Sequence, residues 1–181
     1  LEPDNIEAHT TVLLMLSQTP AGREQVVPRA RALAEAHGGD ARYKLLLGLA
    51  HVLGADRDRA GQLTEAKRLL REAAQAKLSD PYTVRLLVVQ FDFLGLFEDS
   101  LKVLDEAAGP HSSPQIHRAL IRRLWESALY AKLLEKAALV PAPVDNEPDT
   151  LAFRAASMIF TGRSVEAGPL IAELENRTDD P

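Results

Sequence analysis

Leu94-Gly95-Leu96-Phe97-Glu98-Asp99-Ser100-Leu101-Lys102-Val103-Leu104-Asp105-Glu106-Ala107-Ala108 is the stretch that decides the fold. It reads as the end of one apolar helix, a tight Gly-marked turn, and a second helix carrying a small residue, Ser100, in its first turns. The phrase recurs. Thr161-Gly162-Arg163-Ser164-Val165-Glu166-Ala167 repeats the turn and the small residue, and Thr64-Glu65-Ala66-Lys67-Arg68-Leu69-Leu70-Arg71-Glu72-Ala73-Ala74 repeats the second helix. Self-similarity at a spacing of tens of residues is the mark of a repeat architecture.

The same pattern extends outward from these phrases. Apolar residues at helical spacing predict helices over about 5–18, 22–37, 41–54, 62–77, 81–94, 97–108, 114–125, 127–139, 149–161 and 164–175. Thr19-Pro20, Gly38-Gly39-Asp40, Asp80-Pro81, Gly109-Pro110, Pro141-Ala142-Pro143 and Glu147-Pro148-Asp149 separate them. Val88-Val89-Gln90-Phe91-Asp92-Phe93 has strand-like composition, but its place inside a longer apolar run favours helix. Pro28 either breaks the second segment or opens its longer half from a first-turn position. Ten short helices with brief connections predict five antiparallel pairs.

Composition agrees. Aromatic residues are only 5% of the 181, while Leu and Ala dominate, which favours helices over a sandwich or barrel. With no cysteine, a disulfide framework, a thiolate zinc site and a cysteine nucleophile are all excluded. The net charge is −5, and residues 91–181 hold 15 acidic against 9 basic groups. That balance argues against a nucleic-acid partner, which calls for a basic excess. The longest apolar run, Leu45 to Leu53, is interrupted and too short to insert directly into a membrane. Location is left between cytoplasm and periplasm. Ala/Leu/Arg-rich, lysine-poor usage suggests a bacterial source.

The pattern resembles the tetratricopeptide repeat (TPR), a helix-turn-helix unit of roughly 34 residues. The third unit carries the resemblance best, with Val84, Leu87, Val88 and Phe91 in its first helix, Gly95 at the turn, then Phe97, Ser100, Leu104 and Ala107. The second offers Leu47-Gly48, His51, Ala66, Leu70, Ala73 and Pro81, and the fifth Leu151, Ala155, Met158, Gly162, Ala167 and Ile171. The fourth fits at Ile121, Leu134 and Ala137, with Tyr130 standing where a small residue belongs. The small positions Ala66, Ser100, Tyr130 and Ala167 are then 34, 30 and 37 residues apart, so the units vary in length. The resemblance implies an all-α, right-handed α-solenoid of about five antiparallel helix pairs, a single TPR-like array over 1–181 with units at approximately 5–39, 40–80, 81–110, 111–147 and 148–181. Six extra residues, Ala55-Asp56-Arg57-Asp58-Arg59-Ala60, lengthen the second turn. Leu1-Glu2-Pro3-Asp4-Asn5 and Asp179-Asp180-Pro181 look like tails of neighbouring units, which reads as a fragment of a longer protein.

Motifs for chemistry are sparse. His111-Ser112-Ser113 sets a histidine beside hydroxyls with no acid to orient it, so a loop or capping role is preferred. Asp56-Arg57-Asp58-Arg59 lacks the Gly and Glu of a calcium loop and reads as a solvated turn. His9, His37, His51, His111 and His117 have no metal-ligand spacing, and no Gly-rich phosphate loop is present. Arg118, Arg122 and Arg123 form a basic cluster, read first as a solvated face paired with nearby acids and second as an anion contact. Trp125 is placed at the turn of the fourth pair, with an exposed binding anchor as the alternative.

The resemblance therefore implies a non-catalytic protein-interaction or scaffolding module with no cofactor, taking a protein or peptide partner on a concave surface lined by first helices. Carried over from the third unit, the groove candidates are Tyr82, Arg85, Val89, Asp92 and Phe93. A looser match adds Leu45 and Leu49 from the second unit, and Gln115 and Arg122 from the fourth. The competing reading puts Val89 and Phe93 in the core. The chaperone-binding carboxylate clamp of the family is not expected, because Thr10, Leu14, Leu45 and Leu49 stand at the comparable places. The alternative function is a structural or dimerisation segment, with homo-oligomerisation, attached to a catalytic, transport or secretion domain outside this chain.

Overall fold

Short polar side chains and prolines open the helices of this chain, and the computed structural model, which describes residues 5–54, 59–142 and 144–178, places each start. Asn5 caps α1 (Ile6–Ser17), Thr19 caps α2 (Pro20–Ala36), Asp40 caps α3 (Ala41–Leu53) and Asp80 caps α5 (Pro81–Phe93), each accepting from a first-turn amide. Pro20 and Pro81 occupy the first turn, where a missing N–H costs no helical hydrogen bond. The other helices are α4 (Arg59–Gln75), α6 (Phe97–Ala107), α7 (Pro114–Glu126), α8 (Tyr130–Ala137), α9 (Pro148–Phe160) and α10 (Ser164–Thr178). Among the described residues there is no strand, and a single 3-10 turn, Val144–Asn146, precedes α9.

All ten predicted segments are helical, with two differences of physical interest. α4 begins at Arg59, so Arg59 and Ala60 belong to a helix and not to a turn; residues 55–58, and the solvated-turn reading of them, lie outside the described residues. Pro28 neither breaks nor opens a helix. It sits exposed inside a continuous α2, whose buried face, Gly22, Val26 and Ala30, keeps its period through the proline. The tails 1–4 and 179–181 also lie outside the described residues, while Asn5 is a cap.

The chain divides into two compact units, Leu1–Val103 and Leu104–Pro181, with the division falling inside α6. In the first unit Leu13, Val26, Ala30, Tyr43, Leu46 and Leu49 form a core that joins α1, α2 and α3. α3 packs on α4 at closest range where Gly48 has no side chain: a Cβ there would lie 2.9 Å from Leu70 Cδ2. In the second unit α7, α8, α9 and α10 pack in sequence, burying Leu120, Ile121, Leu124, Leu133, Ala137, Leu151, Ala155 and Ala167.

Three helix pairs turn in one way, and this turn is the repeat. The Leu96 amide donates to Phe91 O at 2.8 Å, the Leu129 amide to Leu124 O at 2.9 Å, and the Arg163 amide to Met158 O at 2.7 Å. Beside each, Gly95, Ala128 and Gly162 donate to the carbonyls of Asp92, Trp125 and Ile159. These paired bonds are Schellman closures, which need a left-handed residue just past the helix. Gly95, Ala128 and Gly162 supply it, with φ of 71°, 54° and 80°.

Counting from these turns corrects the alignment of the fourth unit. Ser100 and Ala167 lie five residues after their left-handed residue, and the residue five after Ala128 is Leu133, not Tyr130. Ala66, Ser100, Leu133 and Ala167 then recur at 34, 33 and 34 residues. Burial agrees, since Leu133 is 0% exposed like Ser100 and Ala167, while Tyr130 is only half-buried. Four residues further on, the third unit has Leu104 and the fourth has Ala137, both buried. Large and small have exchanged places, and the uneven spacing expected from Ala66 to Ala167 becomes regular.

Candidate functional site

The sequence of α5 leaves one column of side chains outside the core. Thr83, Val84, Leu87, Val88, Gln90 and Phe91 are buried, and this fixes the helix rotation. Pro81, Arg85, Val89 and Phe93, spaced by four, remain exposed. Val89 is 52% and Phe93 67% exposed, which sets aside the reading of these two as core. Phe97, opening α6, is also exposed, at 54%.

Tyr82 lies beside the column, half-buried, and packs on the first unit's core. Its ring carries the Arg85 guanidinium, Cζ 5.8 Å from the centroid, a cation–π arrangement that leaves the guanidinium N–H edges free. Asp92 stands two turns away from Arg85, about 10 Å along the axis. Arg85 makes no ion pair with any described residue. Asp92 itself is half-buried.

Tyr82 also lines a recess of about 250 Å³ with Asn5, Ile6, Glu7, Arg42, Asp80 and Thr83. The N-terminal ends of α1, α3 and α5 meet there. Arg42 is committed to Asp40, to which it donates from Nε at 2.9 Å, and that hydrogen bond holds the Asp40 carboxyl below the usual carboxylate range. Asp80 caps α5 through the Tyr82 and Thr83 amides. The Glu7 carboxylate is exposed and has no cation on it among the described residues.

Other expected positions are placed differently. Leu45 and Leu49, the looser groove candidates, are 0% and 2% exposed and belong to the core. In the second unit Gln115 is exposed on α7, and Arg122 is exposed with Asp149 at 3.5 Å. Arg118 clasps Glu147 from Nε at 2.7 and 2.9 Å, and Arg123 lies 3.7 Å from Glu126. The Arg118–Arg122–Arg123 cluster is thus an ion-paired face. Trp125 packs at the α7–α8 turn against Tyr130, and also against Phe153 and Phe160 of α9, with centroids 5.3, 5.2 and 6.0 Å away.

Sequence reasoning named His111 beside Ser112, whereas the structure pairs Ser112 with His117. The Ser112 hydroxyl donates to Gly109 O at 2.8 Å and accepts from the Gly109 amide at 3.1 Å, and His117 Nε2 stands 2.8 Å from the hydroxyl and 3.2 Å from Gly109 O. These contacts tie Gly109, Ser112 and His117 together and clamp the α6–α7 loop. Among the described residues no group of three or more His, Asp or Glu could hold a metal ion, and no helix is long and apolar enough to cross a membrane.

No protein-family model matches the chain, and no curated protein resembles it in sequence. Solved structures do. The chain is similar to MamA (AMB-1) at 15% identity and a TM-score of 0.60, over 97% of this chain and 93% of that one. A MamA point mutant matches at 15% identity and 0.56, over 94% and 96%. A putative kinesin light chain from Podosopora anserina with nearly identical TPR-like repeats matches at 14% identity and 0.55, over the whole of both chains. The fold is a TPR-like α-solenoid of helix pairs.

Proposed function

We propose that this TPR-like array is a non-catalytic protein-interaction module, and that the exposed column of α5 is a docking element for a peptide or partner protein. One observation carries the reading. On a helix otherwise given to the core, Arg85, Val89 and Phe93 face solvent in line, and Arg85 has no acid among the described residues. An unpaired guanidinium beside bulky exposed apolar groups has little to offer the stability of the free chain and much to offer a partner. Tyr82 positions the Arg85 head and Asp92 flanks the column. Gln115 and Arg122 of α7 are included as contacts of the second unit, where Arg122 would exchange Asp149 for a partner acid. The solved structures support the reading through their TPR-like fold alone.

The test is the pair of changes Arg85→Glu and Phe93→Asp, each followed by partner capture and a thermal melt. Melting temperatures within about 2 °C of wild type and capture reduced at least tenfold, about 1.4 kcal/mol, are expected. Unchanged capture with an unchanged melt removes α5 from the site, and a large loss of melting temperature makes the column structural.

A further inference from the structure

Resting on that reading, we infer that the α5 column takes an extended segment of a partner, carrying two apolar side chains, then a carboxylate, then an ammonium or guanidinium, at every second residue. The spacing comes first. Phe93, Val89 and Arg85 stand four residues apart, which on a helix is about 6 Å per step. Same-face side chains of an extended chain recur every two residues, about 6.7 Å, so successive partner residues stay in step with the column. Width favours the same occupant. A docked helix buries an apolar face at least two columns wide, and here the exposed column is bordered by half-buried Leu86 and Asp92. An extended segment needs only one column.

The order of charges follows from what remains unpaired. Phe93 and Val89 take apolar groups. One step on, Arg85 presents guanidinium N–H groups held over the Tyr82 ring and free of any acid among the described residues, so a carboxylate belongs there. Beyond Arg85, the Tyr82 ring that carries its guanidinium also lines the recess with Glu7 and Asp80. Among the described residues its one cation, Arg42, is held by Asp40 and the Glu7 carboxylate is left without a cation, so a basic group of the partner belongs in it. Opposite charges at these two places give the site its polarity.

Fluorescence anisotropy with labelled, end-blocked peptides tests this on the full chain. The matched probe has Phe, Leu, Asp and Lys at alternate positions in a Ser/Thr background. A second probe exchanges Asp and Lys, and a third carries the same four residues at every fourth position of an Ala-rich helix. The matched peptide is expected to bind at least tenfold tighter than the charge-exchanged one, and the preference to invert in the double variant Arg85→Glu/Glu7→Lys. Circular dichroism of the variant confirms that it folds. Equal binding of the first two peptides, or an uninverted preference in the folded variant, overturns the charge order. Tighter binding of the helical probe overturns the extended form. If no peptide binds even at millimolar concentration the inference falls, whereas the docking role of α5 is judged separately by partner capture with Phe93→Asp.

Discussion

Ala128 is a residue at which sequence and backbone disagree. Its φ of 54° is the left-handed conformation that Gly95 and Gly162 adopt in the same turn, and a Cβ there meets the following carbonyl at a cost of about 1–2 kcal/mol. Ala128→Gly removes that strain and at the same time loosens the unfolded chain. The net expectation is a gain of about 0.5–1 kcal/mol, read as a higher urea midpoint with an unchanged m-value. A lower midpoint would mean that the Ala128 methyl group contributes contacts worth more than its strain. Gly95→Ala runs the other way, with a loss of about 1 kcal/mol.

Helices show the same kind of exchange at larger scale. In α6 the small Ser100 precedes the large Leu104 by one turn, and in α8 the large Leu133 precedes the small Ala137, all four buried. Leu133→Ala alone should leave a cavity and cost about 2–5 kcal/mol. Adding Ala137→Leu restores the volume in the order used by α6, and recovery of at least half the loss is expected in a double-mutant cycle. Simple additivity of the two changes would show that the two positions do not share one space. This exchange also explains what the sequence concealed. By sequence Tyr130 stands where a small residue belongs in the fourth unit, because neither Leu133 nor an alanine at the turn carries the family's signature. The period is held by φ and by hydrogen bonds that residue identity does not reveal.

Most of the helices were legible, because Pro, Gly and Asx punctuation coincides with caps that the backbone needs; Asp40, Asp80 and Thr19 are instances. The exposed α5 column was legible only in part. Periodicity marks Val89 and Phe93 as apolar, but the rotation of α5 that exposes them is set by Val84, Leu87 and Phe91 meeting neighbours distant in sequence. Leu45 and Leu49 occupy matching places on α3 and are buried, so position in the repeat does not fix exposure.

At the scale of the molecule, ion pairs between separate elements tie stability to pH. Glu147 is held below its ordinary range by the hydrogen bonds of Arg118. For Asp105 burial acts to raise the value, yet the hydrogen bonds and charges of Lys136 and Lys132 together outweigh it and the net shift is downward. A carboxyl with a lower folded than unfolded value binds fewer protons when folded, so its contribution is complete above the ordinary carboxylate range. It is lost as pH falls through the lowered folded value. Melting temperature is therefore expected to hold flat through neutral pH and to drop below about pH 4, less steeply in Asp105→Asn. An equally steep drop in that variant would remove Asp105 from the acid response.

The central claim, that the α5 column meets a partner, is tested most directly by photo-cross-linking in cells of the source. A photoreactive phenylalanine is placed in turn at Val89 and Phe93, and at Leu139 and Val165, which are 67% and 92% exposed and serve as apolar surface controls. Discrete adducts of one mass from positions 89 and 93, and none of that mass from 139 and 165, are the predicted result. The same adduct from all four positions, or from the two controls alone, would contradict it.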